Sequence, residues 1–379
     1  MRLKILIVLN YYYPYISGLS ECAKSLAEEL AKEHDVTVLT AKHEKNLLGF
    51  EIINGVKIER ADLLFKISKG YISLDFLSKF YKHQKNADIV NLHLPMAEAA
   101  FISHLTSKEK LILTYQCDVN LPRSMANSII VNLMDKSSRS SFKRARGIVV
   151  SSYDYARSSR VLPKFKDKWL EIHPTSSFYK EFNSSHNRSQ REEIYVGFCG
   201  RIVEEKGIDI LLQAAPIVKK ALPNVRFLIA GDFNNVAGGS IYESLKLKIG
   251  WDESYVEFLG RLSTQQLIDF YYSLDLFVLP STNSLEAFGM VQIEAMLAGV
   301  PVVASHLPGV REITRRTGMG ETANPKDVEQ LAEVIIKVLK DRDHYIKEKS
   351  FINEIFGVES AAAKYNVCFK EVLNLKAKT

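Results

Sequence analysis

Short runs of aliphatic and β-branched residues alternate along the chain with longer stretches whose apolar positions recur every three or four residues. Lys4–Leu9 reads as a buried strand. SECAKSLAEELAKEH then places Cys22, Leu26, Ala27 and Leu30 on one helical face. DVTVLT, ADIVNLHLP and KLILTYQCD read as further strands. Strands alternating with helices predict parallel sheets with helical crossovers.

Between Lys180 and Glu193 the text changes to KEFNSSHNRSQREE, polar and without period, which reads as a linker. The alternation restarts with IYVGFCG, GIDILLQAAPIVKKAL, VRFLIAGD, YVEFLG, TQQLIDFYYSL, LFVLP and VPVVAS. The pattern predicts two doubly wound α/β domains, residues 1–180 and 194–379, joined by a linker at about 181–193. The last stretch, from Phe351, reads as helix and is a candidate to pack back on the first domain. Ligands of such sheets bind beyond the carboxyl ends of the strands. Candidate chemistry is therefore expected in the segments that follow strands, on the walls of a cleft between the domains.

Composition narrows the class. A chain of 379 residues, 46% hydrophobic and 25% charged, has the make-up of a globular protein of two or three domains. Its net charge of +6 mildly favours anionic partners such as phosphorylated ligands or an acidic membrane surface, and no motif supports nucleic acid. Cys22, Cys117, Cys199 and Cys368 lack CxxC spacing and read as reduced thiols of a cytoplasmic chain. MRLKILIVLNYYYPY has a basic start and a short apolar run but no small-residue cleavage site, so it reads as a first strand rather than a signal peptide. No segment approaches the roughly 20 apolar residues that span a bilayer, so membrane contact would be peripheral, at the inner face. Two basic stretches are candidates for an anionic leaflet: Lys66, Lys69, Lys79, Lys82 and Lys85 with Phe65, Phe76 and Phe80, and Arg139, Lys143, Arg144 and Arg146. Ordinary solvated faces are the commoner fate of such charges.

Chemistry concentrates in the second half. GRIVEEKG puts Gly200, Arg201, Lys206 and Gly207 at the carboxyl end of a strand, where glycine allows close approach and two cations suit a diphosphate. An exposed turn with solvated charges is the bland alternative, and no GxxxxGK[ST] loop is present. In LEAFGMVQIEAMLAGVPVVAS, Gly289 marks a helix start and Gly299 with Pro301 its end. This helix is apolar on nearly every side and is expected to be buried, leaving Glu294 in need of a basic partner or ligand hydroxyls. Glu286 and Glu294, eight residues apart, would be separated by about 12 Å along a helix at ~1.5 Å per residue. That is too far for a glycosidase acid/base pair or one shared metal ion. The amides of Phe288, Gly289 and Met290 lie between them at a helix N-terminus, a favourable place for phosphate. Carboxylate, anion site and carboxylate match the sugar, diphosphate and ribose of a nucleoside diphosphate-sugar.

GRIVEEKG, IAGD, FLGRLS and EAFGMVQIEAMLAGVPVVAS together resemble the donor domain of retaining glycosyltransferases of family 4, over most of residues 194–325. The resemblance implies the GT-B architecture, two Rossmann-like α/β domains facing across a cleft. It implies that Arg201 and Lys206 neutralise the leaving diphosphate, with Gly200 beside them. It further implies that Glu286 contacts donor-sugar hydroxyls, Glu294 holds the ribose, and the backbone near Arg261 and Leu262 meets the base. On the acceptor side Gly18 stands alone in YYYPYISGLSE, where family members often have a Gly-Gly pair. His93 is either a polar wall of the acceptor pocket or a packed histidine at a strand end. Gln116 takes a position where family members often carry histidine, and an amide cannot act as a base. Asp118 is the nearest carboxylate for orienting an acceptor hydroxyl.

The implied activity is metal-independent, retaining transfer of a sugar to a glycan or lipid-linked acceptor in cell-surface polysaccharide or glycolipid synthesis, with no cofactor besides the donor. The DRD at Asp341–Asp343 reads as a solvated helix face rather than a metal site. The alternatives are a nucleotide-sugar-binding GT-B protein without transferase activity, suggested by Gln116, and a sugar-nucleotide epimerase. A nicotinamide dehydrogenase is disfavoured because no strand leads into GxGxxG.

Overall fold

Strands that are apolar on both faces need a layer of helix on each side, and this requirement organises both halves of the chain. The computed structural model describes residues 2–15, 17–67, 70–121, 124–183, 191–233 and 239–376, with backbone only at 65–67, 70–72, 183 and 374–376. The chain divides into two units. One comprises Met1–Ser177 and Phe356–Thr379, the other Phe178–Ile355.

The first unit contains β1 (Lys4–Val8), β2 (Asp35–Ala41), β3 (Phe50–Ile53), β4 (Val56–Ala61), β5 (Phe65–Ile67), β6 (Gly70–Ile72), β7 (Ile89–Leu94), β8 (Leu111–Tyr115), β9 (Gly147–Val150) and β10 (Trp169–Glu171). Eight of them form a sheet in the order β10-β9-β8-β7-β1-β2-β4-β3, and β5 and β6 pair separately. Only the β3–β4 pairing in the large sheet is antiparallel. The winding reverses between β1 and β7, which makes their carboxyl ends the switch point of this sheet. Ile5, Ile7, Val36, Val38, Val56 and Ile58 alternate along their strands and therefore share one face. Against that face lies the helix Gly18–Ala31, whose Cys22, Leu26, Ala27 and Leu30 are all buried, as the helical period predicts.

The second unit is built from β11 (Ile194–Cys199), β12 (Val225–Ala230), β13 (Val256–Gly260), β14 (Leu276–Leu279), β15 (Val302–Ser305) and β16 (Gly320–Ala323). They form a wholly parallel sheet in the order β13-β12-β11-β14-β15-β16, with its reversal between β11 and β14. The helices Ile208–Ala221 and Val328–Lys340 bury Leu211, Ala215, Val218, Leu331, Ile335 and Val338 in one core with the strands.

The last helix packs back on the first unit, the arrangement for which that stretch was a candidate, and the second unit begins at Phe178, earlier than the sequence-based limit. The helix Val358–Lys376 belongs to the first unit because Ala361, Ala362, Tyr365, Cys368, Phe369 and Val372 are buried in that unit's core. At the other end, Tyr179 and Phe182 are buried while Lys180 and Glu181 between them are exposed. Phe182 is fully buried, its ring meets Tyr271 and Tyr272, and the Tyr272 hydroxyl donates to its carbonyl at 2.8 Å. Residues 184–190 of the expected linker lie outside the described residues.

Phe369→Ala should lower the unfolding free energy of the first unit by about 3–5 kcal/mol through loss of burial and a residual cavity. Val367→Ala, at a position 57% exposed on the same helix, should change it by less than about 0.5 kcal/mol. Urea titrations of the two variants check this. Equal effects would mean that the helix does not complete this core.

Candidate functional site

The reversal between β11 and β14 leaves a crevice at their carboxyl ends, and two of the expected residues meet there. Lys206 ends the turn Glu204–Lys206 that follows β11, Glu286 lies in the loop after β14, and the two side chains form an ion pair, each largely shielded from solvent. Ser281 Oγ–H, buried at the end of β14, donates to the same Glu286 oxygen at 3.3 Å. The two loops are tied together by backbone as well, Thr282 N–H donating to the Glu205 carbonyl at 2.9 Å. Gly207 makes that approach possible: it has φ +68°, and a Cβ there would run into the Pro280 carbonyl. Arg201 stands at the same strand end, half-exposed and paired with Glu205 at 3.0 Å. Gly200 precedes it, its N–H bonded to Ala230 at the end of β12 at 3.0 Å. Arg261 and Leu262 follow the edge strand β13, the first exposed and the second half-buried.

Glu294 lies in the first turn of the helix Val291–Leu297. That helix begins two residues later than Gly289, because Gly289 has φ +86° and turns the chain before the helix starts. The amides of Phe288, Gly289 and Met290 thus belong to the turn that leads into the helix. Gly299 ends it: Val300 N–H bonds the Ala295 carbonyl at 3.0 Å and Gly299 N–H that of Met296 at 3.0 Å, the paired bonds of a Schellman end. Gln292, Ile293, Ala295, Met296 and Leu297 are buried, as the pattern predicts. Glu294 is half-buried, and one of its partners is a tyrosine. The Tyr271 hydroxyl, itself wholly buried, donates to its Oε2 at 2.6 Å. Burial, with Cys199 and Glu294 nearby, pushes the Tyr271 phenol well above its ordinary value and so keeps it a neutral donor. Burial and Glu294 push the Cys199 thiol up to about 12. Tyr271 escaped the sequence analysis: TQQLIDFYYSL shows a helical face, but a contact across 23 residues leaves no local signal.

The acceptor-side candidates separate differently. Gly18 is exposed at the start of its helix, and no described atom of the chain beyond its neighbours lies within 4 Å of where a Cβ would point. His93 is buried within β7; its Nε2–H donates to Asn91 Oδ1 at 2.8 Å, and burial lowers it to about 4. With Gln116, half-buried after β8, it borders a cavity of about 30 Å³ that Tyr365 and Thr175 also line. Asp118 is buried, and both of its carboxylate oxygens are engaged within the unit. Its Oδ1 accepts from Tyr115 at 2.7 Å and Ser159 at 2.6 Å, its Oδ2 from Arg160 N–H at 2.9 Å, and its own N–H meets the Tyr155 hydroxyl at 2.7 Å.

Several surface candidates also resolve. Phe76 and Phe80 are core residues, and Lys79 is held by Asp75 at 2.9 Å and the Arg60 carbonyl at 2.8 Å, so this side of the helix Leu74–Asn86 faces inward. Lys69 lies outside the described residues, as do the side chains of Phe65 and Lys66. Arg144 is spent on the carbonyls of Ser103 at 3.3 Å and Thr106 at 2.8 Å. Between Asp341 and Asp343, Arg342 pairs with Asp275 at 3.5 Å. All four cysteines are free thiols.

Two family models match the chain, one on each unit. "Glycosyl transferases group 1" matches residues 180–355 and "Glycosyltransferase Family 4" residues 16–164. A GDP-mannose-dependent monoacylated alpha-(1-6)-phosphatidylinositol monomannoside mannosyltransferase of Corynebacterium glutamicum is 35% identical over 148 residues, 37% of this chain and 36% of that protein. The phosphatidylinositol N-acetylglucosaminyltransferase gpi3 subunit of Schizosaccharomyces pombe is 23% identical over 357 residues, 92% of this chain and 75% of that one. The chain thus spans just over a third of the length of the first relative. Among solved structures, sucrose-phosphate synthase from Thermosynechococcus elongatus superposes with a TM-score of 0.76 at 19% identity, over 99% of this chain and 100% of that one. Anabaena HepE in complex with UDP-glucose superposes with a TM-score of 0.70 at 18% identity, over 98% and 100%. These likenesses establish the fold, GT-B.

Asp118→Ala should cost about 3 kcal/mol of stability by leaving buried donors unpaired, with donor-nucleotide affinity unchanged. Urea titration and calorimetry of one preparation test both halves, and an unchanged stability would contradict the first. For His93, the folded value near 4 lies below the ordinary 6.5, so the unfolded chain takes the proton first as the pH falls. The associated stability is complete above pH 6.5 and is lost progressively towards pH 4. His93→Gln should flatten the pH dependence of unfolding in that window, by about 3 kcal/mol at its lower end. An unaltered slope would overturn the assignment.

Proposed function

The chain belongs to the group 1 glycosyltransferases, and from that premise we propose that it is a retaining, metal-independent transferase moving a sugar from a nucleoside diphosphate-sugar to a lipid-linked or glycan acceptor. The observation that carries this reading is the Lys206–Glu286 pair at the switch point of the second sheet. An ammonium and a carboxylate side by side can grip the two sides of the bond that breaks, the lysine on the diphosphate and the glutamate on sugar hydroxyls. Arg201, exposed beside them, adds a second cation for the leaving group, and Glu294, steadied by Tyr271, takes the ribose hydroxyls. Arg261 and Leu262 border the base.

The chemistry then asks little of a general base. The bond between the sugar C1 and the diphosphate oxygen breaks as the acceptor oxygen bonds C1 on the same face, and the acceptor proton passes to the departing diphosphate. Gln116 is compatible with this because no side chain needs to remove that proton. The main catalytic work is electrostatic, on charge that develops at the leaving oxygen, and Lys206 and Arg201 supply it without a metal ion. A lipid-linked acceptor is favoured by the names of the relatives, a phosphatidylinositol monomannoside mannosyltransferase and a phosphatidylinositol N-acetylglucosaminyltransferase subunit. The product would serve glycolipid or surface-polysaccharide synthesis, with the protein peripheral at the cytoplasmic membrane face.

Lys206→Ala and Glu286→Ala should each cut sugar transfer about 10²–10³-fold while thermal unfolding is little changed. Calorimetry against UDP-, GDP- and ADP-sugars finds the donor, a chelator leaves transfer intact, and proton NMR of the product shows the donor's anomeric configuration kept. Near-normal transfer by both variants would sink the proposal. Donor binding without transfer to any acceptor would leave a nucleotide-sugar-binding protein, the reading that Gln116 favours.

A further inference from the structure

The helix Met125–Arg144 opens with ten residues, Met125 to Met134, that carry no charge. Their apolar side chains face outward: Met125 is 86% exposed, Ile129 58%, Ile130 45% and Leu133 60%. Spaced four apart, Met125, Ile129 and Leu133 fall on one stripe of the helix. The buried residues, Asp135, Ser138, Ser141 and Phe142, all come later, so the first turns stand out from the unit that the rest of the helix packs on. Scattered exposed apolar residues need no explanation, but a contiguous stripe of them marks an interaction surface.

The charges that follow identify the partner. Lys136 and Lys143 continue the same stripe and are exposed, and Arg146 is exposed just beyond the helix end. The only acid of the helix, Asp135, is buried and held by Arg160 at 3.2 Å, so no exposed carboxylate on the helix offsets these cations. Apolar surface followed by a cationic band is complementary to hydrocarbon bordered by phosphate. We infer that this helix is the surface by which the chain docks on an anionic lipid bilayer, with Met125, Ile129 and Leu133 entering the boundary between headgroups and acyl chains and the lysines lying against lipid phosphates. No helix among the described residues is long and apolar enough to cross a membrane. The helix also starts just beyond β8, at the carboxyl end of the first sheet, so docking by its first turns sets the bilayer at the ligand-binding end of that unit. The inference rests on exposure and charge, and it stands or falls separately from the transfer reaction.

The full chain floated with vesicles of phosphatidylcholine, with and without phosphatidylglycerol, tests it. The native chain should bind the anionic vesicles, and added salt should weaken that binding. The double variant Ile129→Glu with Leu133→Glu should lose at least tenfold in vesicle partitioning, and Lys136→Glu with Lys143→Glu should lose the preference for anionic lipid. Thermal unfolding of both should match the native chain, since the altered side chains are exposed. As an independent readout, Met125→Trp should give blue-shifted emission on adding anionic vesicles. Absent binding by the native chain, or native-like binding by the glutamate pair, would overturn the inference. So would a native dimer that the glutamate pair makes monomeric with vesicle binding unchanged, because the stripe would then belong to a second copy.

Discussion

An ammonium and a carboxylate held together where a parallel sheet reverses its winding is the interaction around which the second unit's candidate site is built. Each charge, taken largely out of water, would be costly alone, and the pair is tolerable because the fold delivers both to one place. Delivery is a matter of backbone. The loops after β11 and β14 meet because neighbouring strands run the same way, and they close upon each other because Gly207 leaves room for the Pro280 carbonyl. A pair satisfied, among the described residues, by each other and by Ser281 is also one that a ligand can divide, since an anion and a set of hydroxyls together replace what each partner loses.

The first unit uses the same winding to a different end. The loop after β8 carries the acid Asp118, but that acid is consumed in fastening the loop to Tyr115, Ser159 and Arg160. His93 is likewise turned inward to Asn91 and held neutral by burial. Other titratable groups stand at this end of the sheet, His43 after β2, Glu98 after β7 and His173 after β10, and His173 lines the same cavity as His93 and Gln116.

Legibility followed the range of the physics involved. Buried strands such as Ile89–Leu94 and amphipathic helices such as Gly18–Ala31 carry their period in adjacent residues, so they were readable directly. The hairpin of β3 and β4 was equally local, an Asn54-Gly55 pair with both φ positive between two short strands, and its signal was passed over. Strand β16, GETA, has no pattern to read because an edge strand need not be apolar. Glu286 and Lys206 stood out as motif residues, but that they touch is a contact across 80 residues, which no local pattern holds. The same is true of Tyr271 on Glu294. The apolar start of the helix Met125–Arg144 was present as ten uncharged residues, yet only its exposure separates it from a core helix.

The central claim is that Lys206 at the switch point grips the diphosphate of a donor. It is tested most directly by titrating a nucleoside, its diphosphate and the corresponding diphosphate-sugar into the native chain and into Lys206→Met. The account predicts that the variant loses at least about tenfold, roughly 1.4 kcal/mol, for both diphosphates and nothing for the nucleoside. Equal affinity of the two proteins for all three ligands would contradict it.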